Sequence, residues 1–77
     1  MNDIKELDVV TLVRSATAEV VGESRSVQVP ENTRGTVVLV YKQNGNVIAF
    51  EVEFFMSEKE YALATVPSDQ VNLVLVS

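Results

Sequence analysis

The chain has no cysteine, no histidine and no tryptophan among its 77 residues, and only three glycines, two prolines and five Phe or Tyr residues. Without cysteine there is no disulfide and no thiolate-based zinc site. Without histidine the commonest metal ligand and the commonest general base at neutral pH are both missing. Nucleophilic catalysis then has only Ser–Lys arrangements to draw on, and no motif marks one. Paired carboxylates for sugar hydrolysis need a binding cleft, usually aromatic-lined, and so few aromatics do not furnish one. The composition therefore points to a non-enzymatic protein with no cofactor and no metal.

Charge of one sign is also scarce. Six Lys or Arg residues stand against eleven Asp or Glu, a net charge of -5. Phosphate backbones and anionic membrane surfaces repel such a chain, which argues against nucleic acid and membrane as partners and leaves a nucleic-acid-binding barrel as the least favoured reading. The opening Met1–Glu6 is charged and has no apolar run, so it does not read as a signal peptide, and no stretch reaches transmembrane length. A reducing, cytoplasmic setting fits these features.

What is present is valine, and with it strand-forming character. One domain, residues 1–77, is the count that the length supports. Leu7–Val13 reads as a first strand. Ser15–Gln28 reads as two short strands around Gly22-Glu23-Ser24-Arg25 or as a long irregular excursion, with a helix at Ser15–Val21 as the competing expectation. Glu31–Gly35 reads as a turn, and Gly22, Gly35 and Gly45 as isolated turn glycines. Thr36–Tyr41 is the clearest strand, and Asn44-Gly45 after it is a strong hairpin signal. Val47–Phe55 returns, with Phe50, Val52 and Phe54 on one face and glutamates on the other. Tyr61–Val66, a 3₁₀-like turn at Pro67–Gln70 and Val71–Val76 complete five strands, a number suited to a small closed or nearly closed barrel.

The ordered pieces Glu6-Leu7-Asp8-Val9-Val10, Gly35-Thr36-Val37-Val38 and Glu51-Val52-Glu53-Phe54 resemble a bacterial family of small SH3-like barrels of unknown function. The resemblance covers about half the chain. It departs in the longer segment before Gly35 and in Leu39, where such sequences often carry a charge. It implies an all-β, five-stranded SH3-like barrel and no activity.

Excess apolar surface is the most informative feature. Thr36–Tyr41 and Val71–Val76 are apolar on both faces, whereas a strand of a small barrel needs only one apolar face. With Val38 and Val40 inward, Val37, Leu39 and Tyr41 face out; in the other register Val38 and Val40 do. A two-residue turn at Asn44-Gly45 pairs Leu39 with Phe50, and a three-residue loop pairs Val38 with it. Val37, Leu39, Tyr41, Val74 and Val76 are the candidate interface residues. The expected function is a protein-interaction module that self-associates as a homo-oligomer, with an adaptor for a different protein partner as the alternative. The acidic residues Glu51, Glu53, Glu58 and Glu60 read as a solvated face, unless they converge on a cation or a basic partner. Tyr41, Phe55 and Tyr61 are candidates for exposed aromatics, but an SH3-type groove for proline-rich peptides is usually anchored by a Trp, which this chain lacks.

Overall fold

A computed structural model describes residues 3–75. Among the described residues there are seven strands, not five: β1 (Val9–Leu12), β2 (Ala16–Val20), β3 (Ser26–Val29), β4 (Arg34–Gln43), β5 (Asn46–Ser57), β6 (Glu60–Pro67) and β7 (Val71–Leu73). A single 3₁₀ turn, Ser68–Gln70, joins β6 to β7. The strands form one antiparallel sheet in the order β3-β2-β6-β5-β4-β1-β7.

The two additional strands come from the segment before Gly35. It forms a hairpin, not a helix, and the reason is visible in its pairing. Ala18 and Val20 are buried while Thr17 and Glu19 are exposed, a period of two that a helix would scramble. Thr17 Oγ1 donates to Gln28 Oε1 at 2.7 Å and Ser26 Oγ to Glu19 Oε2 at 2.6 Å, so the polar side chains pair across the outer face. The tip of this hairpin is tied to the rest of the sheet. Val21 N donates to Tyr61 O at 2.9 Å. Arg25 Nε donates to Glu23 Oε1 at 2.8 Å and Arg25 Nη2 to Glu60 Oε2 at 2.6 Å. Beside that guanidinium the Glu23 carboxyl is held below its ordinary range.

The sheet curls because its inner face is one core. Val10, Leu12, Ala18, Val20, Val29, Val37, Phe50, Val52, Phe54, Ala62, Ala64, Val66 and Val71 form a single buried cluster drawn from all seven strands, including both edge strands. A flat sheet would hold its two edges far apart. Curling into a half-barrel brings Val29 of β3 and Val71 of β7 to the same apolar centre. Phe50, Val52 and Phe54 lie inward and Glu51 and Glu53 outward, as the alternation in β5 requires.

Small residues set how tightly the layers close. Gly35 is not a turn glycine: it lies within β4, buried, where a Cβ would stand 2.5 Å from Val52 Cγ1 and 2.8 Å from the Phe54 ring. Only a residue without a side chain admits the Phe54 ring at that point. Ala62 and Ala64 on β6 are likewise small and buried.

Candidate interaction surface

The geometry of β4 follows from its turn and two bulges. Asn44 and Gly45 both take positive φ, 53° and 82°, which is the signature of a type I′ turn. Gln43 therefore pairs with Asn46 and Lys42 with Val47. The register then slips by one at Ile48 of β5, so that Tyr41 pairs with Ala49, Val40 with Phe50 and Leu39 with Glu51. It slips back at Val38 of β4, restoring Val37 opposite Val52. Neither of the two registers expected from the turn holds: Val40, not Leu39 or Val38, stands opposite Phe50.

The bulge at Val38 also changes which residues face out. Val37 is fully buried, and Val40 packs against the core from the same side. Between them Val38 and Leu39 both point outward, 36% and 43% exposed. A regular strand would have buried one of the two. The inserted residue lets an apolar strand of six keep its core contacts on both sides and still present two adjacent apolar side chains to solvent.

Of the expected interface residues, Leu39 is exposed and Tyr41 half-buried, two positions apart on the outer side of β4. Val37 has no surface to offer, because the Val38 bulge preserves its inward phase. Val74 is half-buried on the far side of β1, its N–H donating to Val9 O at 2.9 Å, so β1 separates it from Leu39. Val76 lies outside the described residues. Tyr41 Oη donates to Glu51 Oε1 at 3.2 Å and Thr65 Oγ1 donates to the same oxygen at 2.6 Å, which orders the outer face across β4, β5 and β6. Desolvation raises the Tyr41 phenol above its ordinary value, and the Glu51 carboxylate adds to the shift.

Two further apolar features lie outside the expected interface set. Leu7, read as part of the first strand, sits instead in a turn, 81% exposed and with φ at 76°. Leu7 N donates to Val37 O at 2.7 Å and Val37 N to Asp8 O at 2.9 Å. Two residues of the entering chain thus oppose one of β4, a bulge whose left-handed position is ordinarily glycine. At the other end of the sheet Phe55, 75% exposed, pairs across β5 and β6 with exposed Tyr61, and Val21 is exposed beside them. Phe55 directly follows inward Phe54, so its outward direction is the plain consequence of a two-residue period.

The side of β4 that faces away from β5 is open beyond Val37. β1 pairs only with Arg34–Thr36, Asp8 and Leu7 reach only Val37, and among the described residues no main chain pairs with Val38–Gln43 on that side. Beside this open stretch lies a cleft of about 800 Å³ whose apolar lining includes Ile4, Val40, Val47 and Phe50. Asp3, Lys5, Glu6 and Lys42 supply its charges. The four glutamates named from the sequence do not converge: Glu51 is held by Tyr41 and Thr65 and Glu60 by Arg25, and the described residues contain no cluster of three or more potential metal ligands. No helix among the described residues is long and apolar enough to cross a membrane.

No family model, curated protein or solved structure matches the chain.

Proposed function

We propose that this chain is a small SH3-like barrel that acts as a non-enzymatic interaction module and self-associates through the outer side of β4. The SH3-like reading is supported by the sheet order once the β2–β3 hairpin is set aside: β6-β5-β4-β1-β7 is a five-stranded curled sheet around one core, with a 3₁₀ turn before its last strand. The absence of histidine and cysteine supports a role in binding and not in catalysis. A bacterial, cytoplasmic setting rests on the family resemblance and the cysteine-free composition.

One observation carries the functional reading. Val38 and Leu39 are turned outward together, next to an unpaired length of strand. Adjacent exposed aliphatic residues at an open sheet edge are the features that soluble monomers usually avoid. The direct test compares the solution mass of the wild type with that of Leu39→Glu. The wild type is expected as an oligomer and Leu39→Glu as a folded monomer. Equal masses for the two would remove Leu39 from the interface.

A second reading, an adaptor for a different protein, is favoured by the Phe55–Tyr61 pair. That pair shares its end of the sheet with Glu53 and Glu58, and the acids there outnumber Arg25 and Lys59, so its complement is a basic segment with an aromatic or aliphatic anchor.

A further inference from the structure

The proposed self-association has a definite geometry. We infer that the open stretch Val38–Gln43 of β4 is completed by the same stretch of a second copy, antiparallel, so that two half-barrels join into one continuous sheet; this rests on the proposed self-association and specifies how it is made.

The main chain shows what kind of occupant the site takes. Gln43 and Asn46 flank a two-residue turn and are its hydrogen-bonded pair. Alternation from that pair, carried through the Ile48 bulge, directs the N–H and C=O groups of Lys42 and Val40 away from β5. These groups have no main-chain partner among the described residues. A row of alternating donors and acceptors is matched by another extended strand.

Charge identifies which strand. The chain carries an excess of five negative charges. The cleft beside the open stretch contains two acids, Asp3 and Glu6, and two bases, Lys5 and Lys42. On the cleft side of the open stretch the charges therefore balance, and on its outer side Glu51 adds a single negative charge, so a second acidic copy meets little net repulsion here. The Phe55 end carries Glu23, Glu53, Glu58 and Glu60 against Arg25 and Lys59, a larger negative excess. The edge strands β3 and β7 are four and three residues long and offer little to pair with.

The stretch is also compatible with itself. In an antiparallel pairing about a two-fold axis at Tyr41, Val40 meets Lys42 of the second copy, Leu39 meets Gln43, and no like charges stand opposite. Leu39 and Tyr41 of both copies then cover one another on the outer side. Lys42 and Val40 extend over the cleft on the inner side.

The test uses Lys42→Pro, with Lys42→Ala as its control. Lys42 is exposed and its N–H points away from β5, so proline there deletes an edge donor and spares the β4–β5 ladder. Lys42→Ala removes the charge and keeps the donor. Sedimentation and amide hydrogen exchange are followed over a concentration series. The expected result is a wild-type dimer, a Lys42→Ala dimer and a Lys42→Pro protein that remains folded and dimerises at least about tenfold more weakly. In the wild type, exchange at Val40 and Lys42 slows as the dimer forms. A wild type that dimerises while Lys42→Pro dimerises equally well, with exchange at Val40 and Lys42 independent of concentration, overturns strand pairing and leaves self-association standing. A wild type that stays monomeric overturns both. Should Lys42→Pro fail to fold, the wild-type exchange of Val40 and Lys42 decides alone.

Discussion

At Gly35 the absence of a side chain is a packing requirement. Replacing it by alanine places a methyl against Val52, Phe54 and the Glu53 carbonyl, at 2.5, 2.8 and 3.0 Å, and the last of these belongs to a paired strand that cannot recede. Gly35→Ala is expected to lower unfolding free energy by about 2 kcal/mol or more, read from urea denaturation. Leu7 is the opposite case, a large residue where glycine would serve better. Its left-handed backbone costs roughly 1–2 kcal/mol, and its side chain is too exposed to recover much by burial. Leu7→Gly relieves the strain and gives back part of the gain through the freer unfolded chain, so a net stabilisation of up to about 1 kcal/mol is expected in the same assay. Tyr41 gives a pH signature. Its raised value means that the folded state favours the neutral phenol, so its contribution is complete below the ordinary tyrosine value of about 10 and is lost as pH rises through the higher folded value. Stability should therefore fall on the alkaline side, and Tyr41→Phe should flatten that fall.

At the scale of elements, legibility in the sequence tracked how strongly side-chain chemistry marks each feature. The inward face of β5 was legible because glutamates alternate with Phe50, Val52 and Phe54. The turn at Asn44-Gly45 was legible because few residue pairs take two positive φ values; Gly45→Ala, at φ 82°, is expected to cost about 1 kcal/mol in thermal or urea unfolding. The register of β4 was not legible. Thr36-Val37-Val38-Leu39-Val40-Tyr41 is apolar in both phases, so no polar residue betrays which side meets water or that Val38 is inserted between them. The bulges at Val38 and Ile48 have no glycine to announce them. The β2–β3 hairpin was only half legible, because its alternation is short and interrupted by Val21. The polar run from Glu31 to Arg34 makes Gly35 look like part of the turn, whereas the turn ends at Asn32 and the strand begins at Arg34.

For the molecule as a whole, the curl of seven strands around one small core leaves the two ends of the sheet with different characters. One end carries Phe55 and Tyr61 among carboxylates. The other carries an unpaired length of β4, two outward aliphatic side chains and the smaller excess of negative charge. An acidic protein that self-associates does so most readily where its excess charge is smallest, which is why the β4 end, and not the more conspicuous aromatic end, is assigned to the second copy. Ionic strength should separate the two: added salt is expected to leave β4 self-association nearly unchanged and to weaken capture of a basic peptide by the Phe55 end, measured by sedimentation and titration calorimetry.

The most direct measurement is the solution mass of the wild-type chain by light scattering from micromolar to millimolar concentration. A mass that reaches twice that of the chain, with the folded Leu39→Glu protein remaining at the mass of one, is the expected result. A wild type that stays at the mass of a single chain throughout would contradict self-association through β4.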